Sequence, residues 1–472
     1  MVKEKSCIVE VERFSKKGHG IGSCTEFSKQ VEIPKVFIGE KVLAKIFKSK
    51  QGLHQADLIS IETKHPARVS ARCEQSDVCG GCSWQQLAYP IQLEIKEKKI
   101  KELFKELALD AKIKPIIAMD DPWQFRNKME FTFFQTRENE KSIGLVKTGS
   151  KGRVIDIKRC HLCPTWMSQA LEATRQWWNQ TNIEAYHRLK QTGTLHLLTL
   201  REGTNTKEKM VILTVCGEPS SSFTHQELKG FKEALCKAIP DLTSLFLQIK
   251  TIKEGSPTTA SEMLIYGKDH IEEKMSVKIT EELEKTYVFK ISPSSFFQPS
   301  TPQAEKLLAA ALELMKERPL RTVLDLYCGT ATFGMVFSSL ANQVIGVELN
   351  PYAVYDAQVN IERNQISNLK VIRADVKDVL KVIQDLDQID LVIIDPPRAG
   401  LGHKAIEDVV KFNSETILYV SCNPYTQAED VKILIQKGYR VESIGPLDQF
   451  AHTPHVENIV LLTKMPLSST PS

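Results

Sequence analysis

Four short segments of the chain carry residue types able to do chemistry. Ser421-Cys422-Asn423-Pro424 closes an apolar run, so Cys422 stands at a strand end, where a thiolate can act as a nucleophile rather than as a small buried hydrophobe. Phe450-Ala-His452-Thr-Pro-His455-Val-Glu457 adds two imidazoles and a carboxylate beside the last apolar run, and a nucleophile working on a base needs such a proton acceptor. Ile394-Asp395-Pro396-Pro397-Arg398 ends a very apolar strand. Its prolines withhold backbone donors and leave the Asp395 carboxylate and the Arg398 guanidinium projecting from the sheet edge. Val323-Leu-Asp-Leu-Tyr327-Cys-Gly329-Thr-Ala-Thr332-Phe-Gly334 runs a strand into a small-residue turn, and Glu348 follows at the distance where an acidic residue meets ribose hydroxyls. These glycines do not spell GxGxxG. An adenosyl ligand without pyrophosphate, such as S-adenosylmethionine, therefore fits the turn better than NAD.

A second constellation is Cys73-x5-Cys79-Gly-Gly-Cys82, followed far downstream by Cys160-His-Leu-Cys163. Three close thiols and a distant fourth can hold zinc or an iron-sulfur cluster, and spacing alone leaves both open. Gly80 and Gly81 allow the tight turn that aims Cys79 and Cys82 at one centre.

The elements that must position these residues follow from periodicity. Short β-rich runs (Ile8 to Val11, Gln30 to Ile33, Glu40 to Ile46, Ala56 to Ile61) alternate with Gly- and Lys-containing turns over the first sixty residues. They predict a small antiparallel barrel of the OB type. That segment holds eleven Lys or Arg against seven Asp or Glu, so it accounts for the whole net charge of +4. A basic barrel suits single-stranded nucleic acid, and the same charge fits equally a plain β-domain with a solvated basic face. Ile91 to Leu107 repeats apolar residues at helical spacing, and Trp123 to about Ile291 mixes strand and helix patterns, an α+β middle domain. From Ser292 strands alternate with helices: Val323 to Tyr327, Val344 to Glu348, Lys370 to Arg373, Leu391 to Ile394, Ile417 to Val420, Arg440 to Ile444 and Asn458 to Leu462. This predicts a parallel, doubly wound, Rossmann-like α/β domain with its ligands at the carboxyl ends of the strands. The expected division is 1–62, 63–291 and 292–472.

At 42% hydrophobic and 25% charged residues, the composition excludes disordered and fibrous classes. No apolar run reaches the roughly 20 residues of a membrane span, and charges occupy the start of the chain where a signal peptide needs apolar residues. The expectation is a cytoplasmic protein with mostly reduced cysteines and no membrane partner.

With these segments together (CEQSDVCGGCSWQ, Arg126-Asn127-Lys128, SFFQ ending at Gln298, DLYCG, DPPR, YVSCNP and HTPHVE), the chain resembles the RNA 5-methyluridine methyltransferases. It is most similar to the bacterial 23S ribosomal RNA (uracil-5-)-methyltransferases that carry an amino-terminal TRAM barrel and a [4Fe-4S] cluster. The resemblance implies Cys73, Cys79, Cys82 and Cys160 as cluster ligands, with Cys163 outside the set. It implies Gln298, Tyr327, Thr332, Glu348, Asp375 and Asp395 as contacts of S-adenosylmethionine. Cys422 matches the family's nucleophile and Glu457 its general base. Ala331 stands where the family usually has a glycine, and Ala451 where it commonly has a proline. The implied substrate is a flipped-out uridine of 23S ribosomal RNA. The alternatives are a transfer-RNA uridine or a cluster-containing RNA-binding protein without catalysis, and the second would need Cys422 or Glu457 to be missing.

Overall fold

The computed structural model describes residues 5–24, 29–50, 52–108, 110–150, 152–216, 224–251, 259–379 and 388–466. β1 (Lys5–Phe14), β2 (Gly20–Cys24), β3 (Gln30–Ile33), β4 (Lys41–Lys50) and β5 (Leu53–Thr63) close into a barrel in the order β1-β2-β3-β5-β4. Alternate residues such as Val9, Val11, Val31, Ile33, Val42 and Ala44 fill its interior, as the two-residue period of a strand requires. The antiparallel expectation fails at one pair, since β3 runs parallel to β5, and the sequence pattern otherwise captured this barrel but not β2. Its run Gly-Ile-Gly-Ser-Cys is too glycine-rich to read as a strand, and Gly22 is needed because a Cβ there would stand 1.8 Å from the Glu10 carbonyl oxygen.

Helix α1 (Tyr89–Phe104) follows, then the two-residue strand β6 (Lys112–Ile113). Both fall within the expected 63–291 span yet pack in space on the C-terminal layer. Ile100 and Phe104 of α1 join that layer's apolar core, and β6 pairs with its edge.

Seven strands form the middle sheet: β7 (Lys128–Gln135), β8 (Lys141–Val146), β9 (Val154–Asp156), β10 (Leu195–Glu202), β11 (Lys209–Cys216), β12 (Ser244–Thr251) and β13 (Thr259–Gly267). α2 (Thr165–Asn179) and α3 (His225–Ala238) cover one face and bury Trp166, Trp177, Trp178 and Phe231 against it. The hairpin β14 (Ile271–Lys278) and β15 (Glu284–Ile291) packs instead on α4 (Thr301–Met315) of the last domain.

The C-terminal sheet holds β16 (Leu320–Leu326), β17 (Ala341–Glu348), β18 (Leu369–Arg373), β19 (Leu391–Ile394), β20 (Thr416–Ser421), β21 (Tyr439–Leu447) and β22 (Glu457–Lys464), in the order β18-β17-β16-β19-β20-β22-β21-β6. α4, α5 (Thr332–Phe337), α6 (Pro351–Arg363), α7 (Gly402–Lys411) and α8 (Pro424–Gln436) accompany the strands. The strand order reverses between β16 and β19, which opens a crevice at their carboxyl ends. The all-parallel expectation fails at one strand: β22 runs antiparallel to both β20 and β21. No helix lies between β21 and β22, and without a crossover connection the chain can only fold back.

Among the described residues no helix is long and apolar enough to cross a membrane.

Candidate active site

The reversed β22 places the site. Its amino end lies at the same sheet edge as the carboxyl ends of the parallel strands, and Asn458 pairs in register with Ser421. Glu457 and Cys422 are therefore immediate neighbours of a paired couple. A cavity of about 820 Å³ opens at this edge and reaches across to the middle domain. Gln298, Tyr327, Thr332, Glu348, Asp395, Cys422 and Glu457 line it, and so do Cys73, Cys79, Cys82 and Cys160.

One half of the cavity is built from the turn after β16. Tyr327, Gly329 and Ala331 all take left-handed backbone angles (φ 60°, 55° and 63°), so the chain doubles tightly before α5. Such strain in non-glycine residues persists where surrounding structure imposes it, commonly at ligand sites. Glu348 is fixed by backbone donors, with Gly329 N at 3.1 Å and Asn350 N at 2.7 Å. Gln298 is held from three directions. The Asn127 amide donates to its carbonyl (2.8 Å), Asn127 N donates to the next carbonyl at Pro299 (2.9 Å), and Gln449 Nε2 donates to its Oε1 (3.0 Å). Upstream, the buried Arg201 guanidinium binds the carbonyls of Ser292, Pro293 and Ser295, and so sets the path of the segment that delivers Gln298.

Asp375 is not brought into the cavity wall. Its carboxylate caps the turn at Val376–Asp378 and pairs with Lys377 at 2.9 Å, although its charge still reaches Tyr327, whose phenol it helps to hold protonated.

The other half carries the reactive groups. Burial pushes the Cys422 thiol up to about 11. The Glu457 carboxylate adds to that rise, while the Arg398 guanidinium opposes it by charge and by hydrogen bond. Burial also lifts Asp395 to about 7 and raises Glu457 well above the carboxylate range, with the Asp395 charge a further cause. In the ligand-free site the thiol and these carboxyls are thus biased toward their neutral forms, which is the pattern of groups kept for proton transfer.

The two histidines behave differently from the proton acceptors expected from their types. His452 is almost fully buried with a left-handed backbone (φ 64°), and Trp123 stacks on it at 4.2 Å. Gln92 and the Pro122 carbonyl bind its two ring nitrogens (3.2 and 3.1 Å). Burial holds it down at about 4, so it is a neutral pin for the loop, and His455 is likewise pushed down to about 4.

Two residues outside the expected set belong to the site. Asp325 is buried, accepts from Gly334 N (2.8 Å), leaves Oδ1 without a partner and is pushed up to about 8 by burial. Arg126 lines the cavity with its Nε unpartnered, close enough to Cys82, Cys160 and Arg398 to feel all three. Its place beside Asn127 in the Arg-Asn-Lys segment was the signal available in the sequence.

The cysteine wall is compact. Cys79 is bound by Thr148 Oγ1 at its carbonyl (2.9 Å), and Gly80 approaches β8 so closely that a Cβ would stand 2.8 Å from the Val146 carbonyl oxygen. The thiols of Cys73, Cys79 and Cys82 each feel the charge of Cys160. A hydrogen bond from Cys163 holds Cys160 down at about 7. Among the described residues no group of three or more His, Cys, Asp or Glu stands ready to hold a metal ion. Cys73, Cys79, Cys82 and Cys160 line the same cavity, and thiols are the soft donors that iron-sulfur and zinc sites use.

The fold and this edge-of-sheet crevice define a class, the doubly wound α/β proteins that hold a ligand at the carboxyl ends of their strands. The family is then fixed by comparison: residues 88–465 match the model of the tRNA (Uracil-5-)-methyltransferase family, and the chain belongs to that family. An RNA methyltransferase of Protochlamydia amoebophila is 40% identical over 441 residues, which is 92% of this chain and all of the relative. One of Chlamydia trachomatis serovar D is 34% identical over 83% of this chain and 98% of its own length. The crystal structure of the tRNA (uracil-54, C5)-methyltransferase of Pyrococcus abyssi in complex with S-adenosyl-L-homocysteine shares the fold. Its TM-score is 0.71 at 24% identity, over 98% of this chain and 100% of that one. The protein is thus an RNA (uracil-5-)-methyltransferase that uses S-adenosylmethionine.

Proposed function

We propose that the enzyme methylates C5 of one uridine in 23S ribosomal RNA through a covalent bond between Cys422 and C6 of the base. The observation that carries this reading is the adjacency of Cys422 and Glu457 at the sheet edge. Uracil C5 is too weak a nucleophile to take a methyl group directly. Addition of the Cys422 thiolate to C6 converts C5 into an enolate carbon, which attacks the methyl group of the sulfonium and releases S-adenosylhomocysteine. Glu457 then removes the proton from C5, the electron pair re-forms the C5–C6 double bond, and the C6–sulfur bond breaks.

In this reading Gln298, Tyr327, Thr332, Glu348 and Asp395 hold the methyl donor, with Asp375 at the rim near Tyr327. The target base is flipped out of its RNA to reach the thiol, while the barrel (1–62) and the middle domain (63–291) grip the RNA and the last domain (292–472) does the chemistry. Cys73, Cys79, Cys82 and Cys160 would hold a [4Fe-4S] cluster. When bound, it would tie the 73–82 segment to Cys160 and supply no electron, because methyl transfer needs none. The favoured substrate is ribosomal, since the resemblance to the TRAM- and cluster-bearing branch supports it; a transfer-RNA uridine is the second reading.

Mass mapping of 5-methyluridine in total RNA from cells with and without the gene tests the substrate. Loss of one site in 23S RNA is expected, and loss confined to transfer RNA would transfer the assignment.

A further inference from the structure

The barrel is seated on the catalytic machinery by buried, specific contacts. Lys35, in a left-handed turn after β3 (φ 64°), is buried and donates its ammonium to the carbonyls of Cys79 (2.9 Å) and Cys82. Its own carbonyl accepts from Arg68 (2.8 Å), which also pairs with the buried Glu40 (2.6 Å). The β1–β2 turn makes a second seat. The Gly18 carbonyl accepts from Trp84 Nε1 (2.9 Å), and a Cβ on Gly18 would stand 2.8 Å from Pro454 and 2.9 Å from Trp84. Lys16 of the same turn lies over the ring of Tyr425 (4.8 Å), three residues after Cys422. From Trp84 the path continues inward: Trp84 N donates to the His452 carbonyl (2.9 Å), five residues before Glu457. A buried ammonium satisfied only by carbonyls is costly to create and leaves little freedom to slide.

We propose that the barrel is a clamp, in which Lys35 and the Gly18 turn are positioning elements that hold the cysteine segment and the Cys422 and Glu457 segments in one register. The inference rests on the assignment of Cys422 and Glu457 to the chemistry. It adds that the barrel sets their geometry as well as gripping RNA. A displacement of about 1 Å at reacting groups costs roughly a hundredfold in rate.

The test uses the full chain as Lys35→Met, Lys35→Arg and Gly18→Val. Three quantities are measured: the single-turnover methyl-transfer rate at saturating RNA, the dissociation constant of S-adenosylmethionine, and protease cleavage between residues 63 and 72. Lys35→Met and Gly18→Val should each slow single turnover at least tenfold and speed cleavage, with cofactor affinity within twofold of wild type. Lys35→Arg should recover most of the rate. Weaker RNA binding with an unchanged single-turnover rate would overturn the clamp and leave the barrel a tethered RNA-binding module. Should Lys35→Met fail to fold, Gly18→Val decides, because it keeps the buried cation; a wild-type single-turnover rate in Gly18→Val would refute the proposal. A wrong base assignment would instead show as unimpaired turnover in Glu457→Gln, independently of these variants.

Discussion

Replacing Arg398 with Gln should make the thiol of Cys422 harder to ionise, and the size of the effect follows from its surroundings. Burial, joined by the Glu457 carboxylate, places the thiol at about 11, against an ordinary value of 9.0. At pH 8 the thiolate fraction is then about one in a thousand rather than about one in ten, since each pKa unit is tenfold. Alkylation of Cys422 by iodoacetamide in the RNA-free enzyme should therefore run about a hundredfold slower than that of an ordinary exposed thiol. It should also keep rising with pH throughout the stable range. Arg398 opposes the rise by charge and hydrogen bond, but it is solvent-exposed, so its influence sits near the low end of the one to three units that a close opposite charge exerts. Arg398→Gln should slow alkylation at pH 8 by up to about tenfold and move the profile to higher pH. Mass spectrometry of the peptide containing Cys422 separates it from the other ten cysteines. Alkylation that levels off by pH 8, or that speeds up in Arg398→Gln, would refute the electrostatic account and place thiolate formation before RNA binding instead of with it.

Two further outcomes follow from groups beneath the site. Lys96 and Asp448 form a fully buried pair at 2.6 Å under the loop that leads to Glu457, and Lys96→Met should cost about 3–5 kcal/mol in urea melts by stranding the carboxylate. A loss below 1 kcal/mol would show that the Lys96–Asp448 pair is not what secures this loop. His452 is held neutral, with a folded value near 4 against 6.5 when unfolded, so its contribution is present above pH 6.5 and is lost as pH falls toward 4. The stability difference between wild type and His452→Gln should shrink by about 3 kcal/mol over that window, and a pH-independent difference would show that another group carries the titration.

Much of this architecture was legible in the chain because strand ends bear the chemistry. Tyr327, Glu348, Asp395 and Cys422 all sit where apolar runs stop, and the fold brings those stops to one edge. The direction of β22 was not legible, since an apolar run such as Asn458 to Leu462 reads the same whether it pairs parallel or antiparallel. That reversal is nevertheless what sets Glu457 beside Cys422. The docking of α1 on the C-terminal core, and of Lys35 on the cysteine segment, joins residues far apart in sequence, and local periodicity carries no information about such contacts. His452 shows the limit of reading residue types alone: an imidazole a few residues from the proposed base Glu457 looks like a base until its two ring nitrogens are found bound to Gln92 and Pro122.

The covalent step is tested most directly by incubating Glu457→Gln with S-adenosylmethionine and the target RNA, then resolving the products under denaturing conditions. A slow-migrating protein–RNA species is the expected result, with the nucleotide and one added methyl group mapped by mass spectrometry to Cys422. Full turnover without such a species, or an adduct on any other residue, would contradict it.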